Sequence, residues 1–195
     1  PFTYLWNPLG QTTQTATNLV PGNYSVSVID ANNCTANSLP VAITQPDSLY
    51  ISALTFEVVL CNGDSTTATV VAAGGTPNYS YAWSSGSSTD VASNLIAGNY
   101  TIQILDINGC SRNASIAVTE PLALAITLIH DSVACVGGDD GFALAIPQGG
   151  IASYTYLWDN GDITSLADTL GAGYHTVTIT DANLCTLDSL INFLD

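Results

Sequence analysis

Five cysteines, two histidines and a recurring set of Asp and Asn residues are the side chains in this 195-residue chain best suited to chemistry. A nucleophilic centre needs a base and an orienting group converging on the attacking atom. His130 adjoins Asp131 and His175 stands far along the chain, and no spacing ties either to a cysteine or serine. The chain therefore reads as non-enzymatic, with no catalytic and no cofactor-binding residues. Asp30 with Asn32, Asp106 with Asn108, and Asp181 with Asn183 recur at one place, while Asp64, Asp139 and Asp140 follow two of the cysteines. Clustered oxygen ligands suit Ca2+, which makes Asp30, Asn32, Asp106, Asn108, Asp139, Asp140 and Asp181 its candidate ligands. The same residue types are ordinary turn formers, and no Asp-x-Asp-x-Asp-Gly loop is present.

The composition excludes several partners. Lys and Arg together number one, Arg112, against 16 acidic residues, for a net charge of −15. Binding nucleic acid depends on basic side chains that neutralise phosphates, and anionic membranes attract the same residues, so neither is a partner. No apolar run reaches the ~18 residues needed to span a bilayer. The chain is 47% hydrophobic and only 9% charged, so its surface must be built from its 18 Ser, 23 Thr and 15 Asn. Five cysteines among small strand-rich units fit an oxidising compartment. Pro1 opens inside a strand pattern, so a longer natural chain is expected.

Internal repetition dominates the sequence. Phe2-Thr-Tyr4-Leu-Trp6, Tyr79-Ser-Tyr81-Ala-Trp83 and Tyr154-Thr-Tyr156-Leu-Trp158 begin three parallel series. Leu19-Val-Pro-Gly22-Asn-Tyr24, Leu95-Ile-Ala-Gly98-Asn-Tyr100 and Leu170-Gly-Ala-Gly173-Tyr-His175 follow. Asp30-Ala-Asn-Asn-Cys34, Asp106-Ile-Asn-Gly-Cys110 and Asp181-Ala-Asn-Leu-Cys185 close each series. Cys61 and Cys135 open the second and third. With Pro46 and Pro121 marking linkers, the expected organisation is a partial repeat over 1–46, a complete one over 47–121, and a nearly complete one over 122–195. The linkers hold no Gly/Ser tract, so the coupling should be semi-rigid.

Apolar alternation gives strands. Tyr79, Tyr81 and Trp83 share one face, and Tyr100, Ile102 and Ile104 another. Ala68, Val70 and Ala72 read as a third inward row, matched in the last repeat by Phe142, Leu144 and Ile146. The aromatic stripe reads as a core row in preference to a sugar-stacking platform, because it recurs in every unit. Turns at Asn62-Gly63, Gly74-Gly75, Ser85-Gly86 and Asn108-Gly109 separate the strands. Six or seven short strands per ~75 residues predict an all-β chain of immunoglobulin-like β-sandwich modules. The Leu-x-x-Gly-x-Tyr block resembles a tyrosine corner, which His175 alters in the last repeat.

Gly-Gly-Thr-Pro-x-Tyr-x-Tyr-x-Trp, Leu-x-x-Gly-x-Tyr and Asp-x-Asn-Gly-Cys together resemble the SprB-type repeat of large adhesins in gliding Bacteroidota. The resemblance covers the whole chain. It implies an exported, extracellular cell-surface protein that uses type IX secretion, and it brings no catalytic residue with it. The expected role is a stalk in surface attachment or gliding motility, a filament of repeats whose partners are its own neighbours, surface polysaccharide or other fibres. At about 25 Å per strand, each repeat would add about 30–40 Å. An array of carbohydrate-binding modules is the alternative.

Parity decides the expected disulfides. Cys61 precedes one strand and Cys110 follows another, so an odd number of strands between Trp83 and Tyr100 puts them at one end of the sandwich. The seven residues 88–94 leave room for one strand of ordinary length. Cys61–Cys110 and Cys135–Cys185 are therefore expected, each closing a loop worth ~2–4 kcal/mol. An additional short strand would instead place Cys61 beside Cys185 of the next repeat. Finally, five Asp-Ser/Thr triplets resemble the O-glycan acceptor of exported Bacteroidota proteins, with Ser48, Ser65, Ser132, Thr169 and Ser189 as acceptors.

Overall fold

A computed structural model describes residues 1–131, 133 and 138–194. Sixteen strands are present and no helix occurs among the described residues. The chain divides into two compact units, the first Pro1–Ser48 with Gly74–Thr76, the second Leu49–Ala73 with Pro77–Asp195.

The first unit is one antiparallel sheet of β1 (Thr3–Asn7), β2 (Gly22–Ile29), β3 (Thr35–Asn37) and β4 (Val41–Ile43), with β2 pairing the other three. Later repeats have one eight-residue strand where β3 and β4 stand. Pro40, which has no N–H to give a ladder, lies in the break between them.

The second unit contains two sandwiches of like topology. In the second repeat, β5 (Tyr50–Phe56), β6 (Thr66–Ala73) and β8 (Val91–Leu95) form one sheet. The other contains β7 (Ser80–Trp83), β9 (Gly98–Leu105) and β10 (Ser111–Val118). The third repeat has β11 (Ala125–Asp131), β12 (Gly141–Gln148) and β14 (Leu166–Leu170) facing β13 (Thr155–Trp158), β15 (Gly173–Thr180) and β16 (Thr186–Phe193). All pairings are antiparallel. Each is an immunoglobulin-like sandwich of two three-stranded sheets.

The two cores occupy equivalent positions. Trp83, Ala92 and Leu95 in one match Trp158, Ala167 and Leu170 in the other, all buried. The third repeat has Phe193 where the second has Val118. It compensates with Ala145 for Val70 and Val177 for Ile102. Such exchanges preserve core volume, which is what close packing requires. Tyr79 and Tyr81 pack against the core beside Trp83, so the aromatic stripe is a core row. Burial raises the pKa of the Tyr81 phenol, and the nearby Asp90 and Tyr79 raise it further. Each Trp indole also donates a hydrogen bond to a carbonyl further along: Trp6 to Thr13, Trp83 to Thr89 and Trp158 to Thr164, at 2.9–3.0 Å.

One inward row is corrected. Ala143 and Ala145 are buried, whereas Phe142 and Ile146 are exposed. The repeat equivalent of Ala68 is Ala143, 75 residues on, and a one-residue shift in register exchanges the faces of a strand.

The tyrosine corners hold. Tyr24 donates to Val20 O at 2.8 Å and Tyr100 to Ile96 O at 3.1 Å. His175 reproduces the bond, with Nε2 3.0 Å from Gly171 O across the same four residues. Its Nδ1 lies 3.2 Å from Asp159 Oδ1, and its ring meets Phe193 edge-on at 5.6 Å. His130 meets the same Phe193 edge-on at 5.4 Å. Both histidines thus have packing roles.

Candidate inter-repeat joint

Each sandwich has a leading end, where its first strand starts, and a trailing end, where its last strand finishes. Thr66 pairs with Leu95 and Gly98 pairs with Val118, which puts the loop bearing Cys61 at the trailing end of the second repeat. Thr180 pairs with Thr186 and Ala125 with Gln148, which puts Cys185 at the leading end of the third. The two cysteines form a disulfide with a Cα–Cα distance of 5.7 Å.

The expected pairs Cys61–Cys110 and Cys135–Cys185 are therefore corrected; Cys110 is a free, exposed thiol, as is Cys34, and Cys135 lies outside the described residues. β8 is the one regular strand between β7 and β9, as the spacing suggested. However, the chain reverses twice there. Trp83 N–H donates to Ser87 O, and residues 87–90 run back before β8 starts. Asp90 O accepts from Val70 N–H. This short return adds a reversal without forming a regular strand, so Cys61 and Cys110 end at opposite poles.

Hydrogen bonds flank the disulfide. Glu120, in the linker, accepts from Asn62 Nδ2 at 3.0 Å through one oxygen and from Gly63 N–H at 2.7 Å through the other. Asn62 Nδ2 also donates to Pro121 O at 3.0 Å. Asn183 Nδ2 donates across the joint to Leu60 O at 2.9 Å. The linker is held as well, since Gly150 N–H donates to Leu122 O at 2.8 Å. Gly149 must be glycine here: its φ is +70°, and a Cβ would sit 1.9 Å from Ala123 O.

The recurring acids serve their own loops. Asp30, Asp106 and Asp181 each use Oδ1 to accept backbone N–H bonds from the residues two and four further on, at 2.8–3.0 Å. Asn32, Asn108 and Asn183 supply the first of these N–H groups. Asp181 Oδ2 accepts from Ile151 N–H at 2.8 Å. That bond, with those from Cys185 and Asn183, holds the buried Asp181 carboxyl below the usual aspartate range, against the opposing effect of burial. Asp139 lies against Gly171, in another loop. Among the described residues, no three His, Cys, Asp or Glu side chains converge to hold a metal.

A depressed aspartate pKa stabilises the fold above the ordinary value near 3.9, and that stabilisation is lost as pH falls through the lowered value. Acid unfolding of the wild-type chain should therefore steepen below pH ~4. Asp181→Asn should be less stable at neutral pH and flatter on acidification. Circular dichroism during acid titration reads both effects, and parallel curves would refute the assignment.

The fourth position of this loop has positive φ in every repeat: Asn33 at 62°, Gly109 at 80° and Leu184 at 67°. A leucine there carries strain of about 1 kcal/mol, and Leu184 is 80% exposed. Leu184→Gly should therefore stabilise the third repeat by up to ~1 kcal/mol in urea unfolding; a loss of stability would contradict this.

Of the candidate acceptors, Ser48, Ser65 and Thr169 are exposed and Ser189 is half-buried in β16. Ser132 lies outside the described residues. The sequence missed Glu120, Gly149 and Asn183 as joint residues. The linker motif Thr-Glu-Pro was the available signal.

Among curated proteins, no sequence matches the chain. Solved structures with similar folds include the first eight Ig domains of Down Syndrome Cell Adhesion Molecule, at 13% identity and TM-score 0.48, with 98% of this chain and 32% of that chain covered. Sidekick-1 immunoglobulin domains 1–5 match at 10% identity and TM-score 0.41, with 99% and 53% covered. Drosophila OTK extracellular domains 3–5 match at 13% identity and TM-score 0.35, with 99% and 85% covered. The chain thus spans about a third of the first and half of the second. The SprB repeat family matches residues 54–88 and 127–163, from the first strand of each sandwich to the hairpin after its tryptophan. Both matches fall within the second and third repeats.

Proposed function

We propose that this chain is a stretch of stalk from a secreted cell-surface adhesin, in which successive repeats hold a binding tip away from the cell. The observation that carries the reading is the joint: a disulfide and the Asn183–Leu60 hydrogen bond fasten one repeat to the next, and three further bonds hold the linker residues Glu120 and Pro121 against the loop beside Cys61. A spacer needs such coupling between modules, and a string of independent binding domains does not. The relevant partners are neighbouring repeats. Surface attachment or gliding by a Bacteroidota cell is the setting that the repeat's resemblance suggests.

The test replaces these repeats in the native surface protein with unrelated immunoglobulin-like spacers of equal length. Retained attachment supports the stalk, and loss of attachment despite surface display favours binding by the repeats themselves. That second reading has one observation behind it, a shallow trough on the outer face of the β7–β9–β10 sheet lined by Ser84, Thr101, Gln103, Asn113 and Ser115. Those groups can bond sugar hydroxyls, but the rings that would stack a sugar are turned into the core. Glycan-array binding by the isolated chain would favour it.

O-glycosylation at one or more of Ser48, Ser65, Ser132, Thr169 and Ser189 fits a stalk with almost no mixed surface charge. Glycans would hydrate it and blunt sheet edges. Ser65 is exposed and adjoins the turn after Cys61, which makes it a favoured acceptor. The intact mass of native material should exceed that of the polypeptide corrected for disulfides, and equality would remove the idea.

A further inference from the structure

We propose that the Cys61–Cys185 disulfide makes the two sandwiches a covering around a tension-bearing cord, so that pulling force bypasses most of the chain. The inference follows from connectivity. Force arriving from the N-terminal side enters the second unit at Leu49 and runs along β5 from the leading to the trailing end. It reaches Cys61 after the short segment 57–60. There it has two routes: through residues 62–184, or across one disulfide. The disulfide is the short route, because the two Cα atoms are 5.7 Å apart while the sequence separation is 124.

Beyond Cys185 the force enters β16 directly, which runs from the leading to the trailing end of the third repeat. The loaded path is therefore β5, the disulfide and β16. These two strands are already extended, at about 3.3 Å per residue, so the path has little slack. Both are edge strands: β5 pairs only with β6, and β16 only with β15. Peeling β5 would draw Ile51 and Leu54 away from the second core, and peeling β16 would draw Ile191 and Phe193 out of the third, so core packing resists the peel and only the residues of that one strand would come loose. The rest of both sandwiches, including Trp83 and Trp158, lies off the loaded path. Asn183 ties the third repeat to the second beside it, and Glu120 holds the linker to the Asn62 loop.

An ordinary tandem array lengthens when a module unfolds under load, because the whole module joins the tether. Here the covered residues cannot join it while the disulfide is intact. The structure thus assigns the joint a mechanical role beyond spacing, which is to limit extension.

The test is single-molecule stretching of the intact 195-residue chain, held through peptide tags at its two termini so that no cysteine is added. Without reductant, the fully stretched length should fall short of the full polypeptide by about 40 nm, from 124 residues at ~3.3–3.6 Å each. Adding dithiothreitol, which becomes a cyclic disulfide as it reduces the bond to two thiols, should restore that length. Cys185→Ser should show the full length without reductant, and Cys110→Ser should behave as wild type. If Cys185→Ser does not fold, wild type with and without reductant gives the same comparison. Full-length extension of the unreduced wild type would overturn the proposal. The readout is the extension of an isolated chain, so this result stands apart from the outcome of the attachment test.

Discussion

Trp158→Ala is expected to melt the third repeat at a temperature lower by ten degrees or more. Trp158 is among the largest fully buried side chains, at 1% exposure, and it belongs to a core cluster drawn from both sheets. Truncating a buried tryptophan costs about 3–5 kcal/mol, from lost transfer energy and the cavity left behind. It also removes the indole bond to Thr164 O, which ties down the hairpin after β13. Each kcal/mol shifts the melting temperature of a domain this size by about 4–8 °C. Trp6→Ala is the control, since Trp6 is only half-buried and belongs to the single-sheet first unit. Differential scanning calorimetry of the two variants should separate them clearly. A Trp158→Ala transition within a degree of wild type would contradict the core assignment.

Cys185→Ser is expected to have a comparable effect by a different route. A disulfide acts mainly by restricting the unfolded chain, and the restriction grows slowly with the loop it closes. A loop spanning 124 residues gives up to about 5 kcal/mol on the chain-entropy account. The folded joint would retain its hydrogen bonds from Asn62, Gly63 and Asn183. Urea unfolding should shift to lower concentration in Cys185→Ser, and reduced wild type should coincide with it. Cys110→Ser should match unreduced wild type, because Cys110 is free. Peptide mapping without reductant provides a direct check, since a peptide joining Cys61 to Cys110 would reverse the assignment.

The repeat, the strand rows around Trp83 and the tyrosine corners were legible in the sequence because each rests on local alternation or on one motif seen three times. Two errors came from the same source. Placing Phe142 inside and pairing Cys61 with Cys110 both required counting residues across segments without a regular period. A single-residue slip turns Phe142 outward, and one short return at 87–90 sends Cys110 to the far pole. His175 was legible as a departure from the motif, but not as its replacement. Only the geometry shows that an imidazole Nε2 reaches Gly171 O as the phenol reaches Ile96 O. The recurring Asp of each closing loop carried an ambiguous signal, because oxygen atoms that could hold a cation can equally accept backbone N–H groups. The structure uses them for the backbone.

The reach of the Cys61–Cys185 bond also bears on damage. Arg112, the chain's one basic residue apart from histidine, is exposed on β10 and lies between the two bridged cysteines. A protease that cuts there, or at any other single bond from residue 62 to 184, leaves two fragments still joined through sulfur. The cut would appear on a reducing gel and remain invisible on a non-reducing one, and the strands under load would stay continuous. To part the chain within these two repeats, a protease must strike β5 or β16, where paired backbone offers little purchase, or the short segments beside them, such as residues 57–60, which lie outside any strand. A nick that would sever an ordinary string of beads leaves this one whole.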